Sequence, residues 1–184
     1  LNGILADDMG LGKTLQALSL LQKAKDVDGS MPTLVVAPTT VVFNWENEIQ
    51  KFAPELTCLK IQGADRKTLF KEIPNYDIII TSYALVRRDI EKLKKFKFRY
   101  VILDESQNIK NAISQTAQSV KELVSDHKLA LSGTPIENKL EELWSVFDFL
   151  MPGFLFNVAE FNYRYVAPIM ERQDKTVEKR LKLQ

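Results

Sequence analysis

ADDMGLGKT, residues 6–14, decides how the rest of the chain is read. It follows a short apolar run, Gly3–Ala6, and leads into a segment with helical spacing. Gly12, Lys13 and Thr14 meet the end of the phosphate-binding pattern G-x-x-x-x-G-K-[ST]. The first glycine of that pattern would fall at position 7, where the chain has Asp7 with Asp8 beside it. The setting of strand, glycine loop and helix is the one in which backbone N–H groups and a helix N-terminus cradle phosphate. Gly10 and Gly12 let those amides turn inward, so Asp7 and Asp8 need not face the anion. Lys13 is the residue to reach the β- and γ-phosphates, and the Thr14 hydroxyl is a Mg²⁺ ligand.

Outward from this loop, apolar β-branched runs alternate with helix-patterned segments. Thr14–Val27 has Leu15, Leu18, Leu21 and Leu20 as candidates for one buried face. Thr33–Pro38 reads as a strand and Val41–Phe52 as a helix stopped by Pro54. Leu56–Ile61 is a strand, and Asp65 is a candidate cap for a short helix to Ile73. Tyr76–Thr81 is a strand, Ser82–Phe96 a helix and Phe98–Glu105 a strand. Asn111–Val124 is a helix, His127–Ser132 a strand and Leu140–Leu150 a helix. Repeated strand–helix units with continuous apolar strands imply a mainly parallel sheet covered on both faces. Ligands of such sheets sit at the carboxyl ends of the strands, where all the polar motifs of this chain fall. After Pro152 the pattern changes: residues 153–184 hold no strand candidate, and Val158–Val166 and Lys175–Leu183 read as helices. The expected organisation is therefore an α/β lobe over 1–152 and a helical appendage over 153–184.

The chain has 184 residues, enough to bury roughly 70% of the unfolded surface in one domain. Its net charge is +1, which gives no global sign of a nucleic-acid binder but leaves room for a local cleft that grips phosphates. The single cysteine, Cys58, excludes a disulfide within the chain and a paired-cysteine zinc site, and fits a reducing compartment. No apolar run approaches the ~20 residues of a membrane span, so no membrane partner is expected. The start at Leu1, without a basic-then-apolar leader, reads as that of an excised fragment.

Two further stretches carry chemistry. VILDESQNIKN, residues 101–111, is a buried run ending in adjacent carboxylates. Asp104 suits Mg²⁺ at a strand end, and Glu105 suits the placement or deprotonation of an attacking water. Phosphoryl transfer needs that division of labour. ALSGTPIEN, residues 130–138, is by itself only a polar turn after a strand.

Together these stretches resemble helicase superfamily two, and within it the Swi/Snf family of DNA-dependent ATPases. GILADDMGLGKT resembles the family's motif I, usually A-D-E-M-G-L-G-K-T; the family itself has Asp where the glycine is missing, and Asp8 replaces its usual Glu. LVVAPTTVVFNWENEIQKF resembles motif Ia, IIITSYALVRRD motif Ib, LDESQNIKN motif II, and LSGTPIENKLEELWSVFDFLMPG motif III with its following helix. The resemblance runs from Leu1 to about Gly153. Gln107 and SGTPIEN are more similar to the prokaryotic members.

The resemblance implies a three-layer RecA-like P-loop NTPase lobe using ATP and Mg²⁺. It nominates Asp8, Met9, Gly10, Leu11, Gly12, Lys13, Thr14 and Leu15 for ATP, Thr14 and Asp104 for the metal, and Lys13, Asp104 and Glu105 for catalysis. Double-stranded DNA is the implied partner, with Asn44, Trp45, Thr81, Ser82 and Tyr83 as contact candidates, although core packing is the stronger reading of Trp45. Gln107, Ser132, Gly133 and Thr134 would couple the ATP site to the DNA side or to a second RecA-like lobe. A protein target on DNA is implied but not identified, and the setting is the cytoplasm, the bacterial nucleoid or the nucleus. A solvated helix face is the reading of the basic stretch from Arg87 to Arg99, with extra phosphate contact as its minor alternative. An RNA or single-strand helicase, and a non-hydrolysing module that grips DNA or a partner, stay open as rivals.

By the same resemblance, an upstream segment supplies an adenine-reading glutamine and a second lobe supplies arginine fingers. Such an arginine contributes about 10³–10⁵ in rate, or roughly 4–7 kcal/mol of barrier. The 184 residues alone are therefore expected to hydrolyse ATP very slowly; fast turnover by the pure chain in a phosphate-release assay would contradict this.

Overall fold

The computed structural model describes residues 2–8, 10–133, 140–171 and 173–182. Six strands form one sheet: β1 (Gly3–Leu5), β2 (Thr33–Ala37), β3 (Cys58–Lys60), β4 (Ile78–Ser82), β5 (Lys97–Leu103) and β6 (Val124–Leu131). Their spatial order is β1-β6-β5-β2-β4-β3, and every pair is parallel. Parallel pairing puts all the strand C-termini on one edge. The loop after β1, Pro38 after β2, Tyr83 after β4, Asp104 after β5 and Ser132 after β6 therefore share that edge. β6 lies between the strand that feeds the glycine loop and the strand that ends in Asp104.

Alternation along the strands sorts two cores. Val35, Ala37, Ile78, Ile80, Tyr100 and Ile102 face α1 (Lys13–Asp28) and α2 (Val42–Phe52), which contribute Leu18, Leu21, Trp45 and Ile49. Leu34, Val36, Ile79, Val101 and Leu103 face the other way, against α4 (Tyr83–Leu93), α5 (Gln115–Lys121) and α6 (Leu140–Leu150). Burial on both faces is why β2 and β4 read as unbroken apolar runs. The short α3 (Arg66–Leu69) continues as a 3₁₀ turn over Phe70–Asn75, which seats Phe70 and Ile73 on the second core.

Several boundaries differ from the sequence reading for identifiable reasons. Asp65 precedes α3 but makes no side-chain cap. The helix expected over Asn111–Val124 covers only Gln115–Lys121; Ser114 caps it by accepting from the Ala117 N–H at 3.1 Å. Val124 belongs instead to β6, drawn out by register with Lys97 at the start of β5. Leu15 is 41% exposed, and Ala17 takes its expected place in the core beside Leu18 and Leu21. Beyond Gly153, α7 (Val158–Phe161) gives way to wider helical turns over Asn162–Glu171, and α8 (Lys175–Lys182) follows. Leu155, Phe161 and Tyr165 form a third small core that includes Trp144 of α6. Trp144 thus links the lobe to the helical segment that follows residue 152. Among the described residues no helix is long and apolar enough to cross a membrane.

The sheet edge opposite the site is fixed by polar ties. Asp77, just before β4, accepts from the Lys25 ammonium at 3.0 Å, the Ser30 hydroxyl at 2.5 Å and both the N–H and hydroxyl of Thr57 at 2.8 Å. Arg99 donates to the carbonyls of Ala24 and Gly29, each at 2.8 Å, and pairs with Asp28. The basic stretch is largely spent in such contacts: Lys94 pairs with Glu91 and Glu122, Lys97 with Asp126, and Lys92 lies over Phe70. Arg87, Arg88 and Lys95 of the same stretch are exposed. His127, the one histidine, packs its ring against Tyr100 with centroids 4.9 Å apart.

Burial would raise the Asp77 carboxyl, but the bonds from Ser30, Thr57 and Lys25 outweigh it and bring its pKa from 3.8 to about 2. A lowered folded pKa stabilises the native state above the unfolded pKa, and that stability is lost as pH falls through the folded value. The difference is worth about 2 kcal/mol at neutral pH. Asp77→Asn is therefore expected to lose about 2 kcal/mol in urea unfolding at pH 7, with the gap from the unaltered chain closing between pH 4 and pH 2. A gap that stays constant over that range would remove the carboxylate as its cause.

A candidate nucleotide and metal cleft

The loop between β1 and α1 is bent by two residues with left-handed backbone, Gly10 (φ 87°) and Gly12 (φ 77°). Side chains rarely adopt this region, which is why both positions need glycine. α1 starts at Lys13 with no acidic residue in its first turn, so its positive end is not cancelled locally. The Lys13 ammonium donates to the carbonyls of Asp7 at 2.7 Å and Asp8 at 2.9 Å, tying the loop to the helix it enters. Asp7, at the position of the pattern's first glycine, has its carboxylate on the Gln16 amide at 3.0 Å. Two carboxylates in the loop are therefore compatible with an anion site: Asp7 is held along α1, and Asp8 lies at the surface.

Across from the loop stands the end of β5. Gly10, Gly12, Lys13 and Thr14 line one side of a cleft of about 480 Å³. Trp45, Asp104 and Glu105 line the other, with Asn44 at the rim. This size falls in the range of small-ligand sites. Thr14 and Asp104 bring a hydroxyl and a carboxylate to the same space; hard oxygen donors of this kind fit Mg²⁺.

Asp104 is only 8% exposed, and both its oxygens are used. Oδ1 accepts from the Glu105 N–H at 2.9 Å and Oδ2 from the Trp45 indole N–H at 2.8 Å. Burial pushes this carboxyl up from the ordinary range, the Glu105 charge adds to that, and the Trp45 bond works against both. Glu105 itself sits at φ 50°, ψ 58°, a left-handed conformation unusual for a side chain. Asn108 holds it there, donating to the Glu105 carbonyl through its N–H at 3.0 Å and its side-chain amide at 2.8 Å. The Gln107 amide donates to Glu105 Oε2 at 2.7 Å, and its oxygen accepts from the Ser132 hydroxyl at 3.4 Å. The structure thus brings Gln107 and Ser132 together with Glu105. Gly133 follows Ser132, whereas Thr134 and Met9 lie outside the described residues.

Other nominated residues are placed elsewhere. Leu11 is 61% exposed at the loop tip, and Leu15 lines a separate groove with Phe52. Of the DNA-contact candidates, Asn44 is exposed and the rest are buried. Trp45 is 1% exposed, its one polar atom bound to Asp104. The Thr81 hydroxyl donates to the Ile61 carbonyl at 3.1 Å, and Ser82 caps α4 by accepting from the Leu85 N–H. The Tyr83 hydroxyl donates to the Asp104 carbonyl at 2.8 Å. Burial, then the charges of Asp104 and Glu105, keep its phenol far above the usual pKa, so it stays a donor. In this arrangement Trp45, Thr81, Ser82 and Tyr83 brace the sheet edge from within rather than presenting donors to a phosphate. The sequence reading missed Asn47 and Glu48, which also line the cleft. Their signal was the spacing 44, 47, 48 on an amphipathic helix whose other face, Val42, Trp45 and Ile49, is buried.

A family model for the SNF2-related domain matches residues 1–183. Among curated relatives, the TATA-binding protein-associated factor MOT1 of Saccharomyces cerevisiae is 42% identical over 97% of this chain and 10% of its own length. The putative ATP-dependent helicase/translocase YwqA of Bacillus subtilis is 42% identical over 93% of this chain and 19% of its own. The SWI2/SNF2 ATPase core of Sulfolobus solfataricus, solved in complex with dsDNA, superposes with a TM-score of 0.91 at 43% identity, covering 98% of this chain and 37% of that one. The same core solved as the ATPase core domain gives 0.88. The chain spans about a tenth of the length of the yeast relative and little more than a third of the archaeal core.

The strained turn at Glu105 yields a stability prediction. A non-glycine residue in this backbone region costs on the order of 1 kcal/mol. Glu105→Gly is expected to leave stability unchanged or raise it by up to about 1 kcal/mol in urea unfolding, while removing the carboxylate from the cleft. A marked loss of stability would mean that the Gln107 bond outweighs the strain.

Proposed function

Because this chain belongs to the SNF2-related domain family, we propose that it is the ATP-binding lobe of a duplex-DNA-dependent ATPase that translocates along DNA and displaces or repositions bound proteins. The observation that carries this reading is the single cleft in which Lys13 and Thr14 face Asp104 and Glu105. A second RecA-like lobe would close over that cleft. The relatives range from a TATA-binding protein-associated factor to a putative bacterial helicase/translocase. That spread supports a common motor with differing protein targets, working in the nucleus or on the bacterial nucleoid.

Each residue has a task that follows from its surroundings. Lys13 exchanges the carbonyls of Asp7 and Asp8 for phosphate oxygens, so its ammonium stays hydrogen-bonded throughout. The amides around Gly10 and Gly12 and the start of α1 take the remaining phosphate charge. Thr14 and Asp104 would hold Mg²⁺, whose charge offsets that developing on the transferred phosphoryl group. Glu105, turned into the cleft by its left-handed backbone, orients the attacking water and accepts its proton. Gln107 ties Glu105 to Ser132, so a shift at the end of β6 moves the water-positioning group. Duplex DNA would lie along the C-terminal sheet edge, where Asn44 is the exposed candidate.

The test is ATP hydrolysis by the full-length protein with no nucleic acid, duplex DNA, single-stranded DNA or RNA. Duplex DNA is expected to give the strongest stimulation. Glu105→Gln is expected to lower turnover by about 10²–10⁴ with ATP still bound. Stimulation by RNA or single strands alone would make the protein a helicase of another kind. Absence of hydrolysis under every condition would leave a binding lobe.

A further inference from the structure

Three donors converge on Asp104 from three elements, and two of them come from residues the sequence had offered to DNA. The Trp45 indole on α2 reaches Oδ2, and the Tyr83 hydroxyl at the start of α4 reaches the main-chain carbonyl, both at 2.8 Å. The Glu105 N–H takes Oδ1. We propose that Trp45 and Tyr83 are positioning residues for the metal-binding carboxylate, Trp45 fixing its rotation and Tyr83 its place at the end of β5. This rests on the nucleotide and Mg²⁺ reading of the cleft.

A carboxylate rotates in a broad, nearly two-fold torsional well, so an unrestrained Asp104 would present its oxygens over a wide arc. One donor on each oxygen removes that freedom, while each oxygen keeps further acceptor capacity for a cation or its water. The chemistry of the donor matters. An indole N–H has one direction and no charge. A lysine or arginine in its place would neutralise the carboxylate and repel a cation. Trp45 is also anchored: it is 1% exposed and sits between Val42 and Ile49 in the core that α2 shares with the sheet. Tyr83 adds what a side-chain bond cannot, because it holds the backbone from which Asp104 projects. Partners of ligating groups are conventional determinants of metal affinity. The competing explanation is that both bonds only satisfy buried polar atoms, in which case their loss would lower stability and leave metal affinity alone.

The experiment is a titration of the full-length protein with a fluorescent, non-hydrolysable ATP analogue, in EDTA and over a series of Mg²⁺ concentrations. Trp45→Phe is expected to raise the half-saturating Mg²⁺ concentration by about tenfold or more, with analogue affinity in EDTA unchanged within about twofold. Tyr83→Phe, which removes a single oxygen and opens no large cavity, is expected to move in the same direction, and it decides the matter should Trp45→Phe fail to fold. Ile49→Val softens the same core without touching Asp104 and is expected to leave the Mg²⁺ dependence unchanged. The proposal is overturned by unaltered Mg²⁺ dependence in the folded variants, or by an Ile49→Val effect as large as theirs. Failure of the underlying reading is seen separately, as analogue binding by the unaltered protein that Mg²⁺ does not strengthen or that Asp104→Asn leaves intact.

Discussion

A buried carboxylate at the end of β5 is the point on which this structure turns. Asp104 is a charge withdrawn from water, and such a group persists only where donors compensate for lost hydration. The chain supplies them from α2 and from its own next residue, while Tyr83 of α4 donates to the Asp104 main-chain carbonyl, so this one residue fastens both helical layers to the sheet edge. That arrangement depends on parallel strands. Only when β1, β2, β4, β5 and β6 all end on one side do the glycine loop, Trp45, Tyr83, Asp104 and Ser132 come within reach of one another.

The two ends of the sheet are built differently. At the N-terminal end, Asp77 and Arg99 gather complementary partners and lock strand starts to α1 and its following turn. At the C-terminal end, Glu105 has a strained backbone and the loop relies on Gly10 and Gly12 in left-handed conformation. Strain can persist only where the surroundings over-determine it. Here the surroundings are the rigid two-sided core and the ties to Asn108 and Asp104. The polar locks at one end thus hold in register the strands whose other ends carry strained chemistry.

Much of this was legible in the sequence. Continuous apolar strands alternating with helical spacing gave the parallel three-layer architecture, because burial on both faces leaves no other pattern. The strand–loop–helix setting of Gly12, Lys13 and Thr14, and the paired acids after an apolar run, located both walls of the cleft. What stayed hidden depends on three-dimensional direction. The family resemblance nominated Thr81, Ser82 and Tyr83 as DNA contacts, but in the fold their oxygens turn inward, onto Ile61, α4 and Asp104. Leu15 has core-like spacing, yet the helix rotates it to the rim while the smaller Ala17 fits against the sheet. The early start of β6 was hidden because Ser125 and Asp126 carry no strand signal; register with β5 imposes it.

In the loop before α1, local pattern and global geometry must be read together. An aspartate at the position of a glycine looks incompatible with phosphate, since a carboxylate beside an anion would repel it. The repulsion depends on where the charge points, and position 7 is directed along α1 by Gln16, one turn into the helix. The same Gln16 also reaches the Leu11 carbonyl, so one amide steadies both limbs of the loop. The Asp7 carbonyl, meanwhile, joins that of Asp8 in receiving the Lys13 ammonium. The main chain at the substituted position thus orients the cation that a phosphate needs, while its side chain is kept out of the anion's way. Departure from the glycine pattern at this point changes which atoms hold the loop in shape.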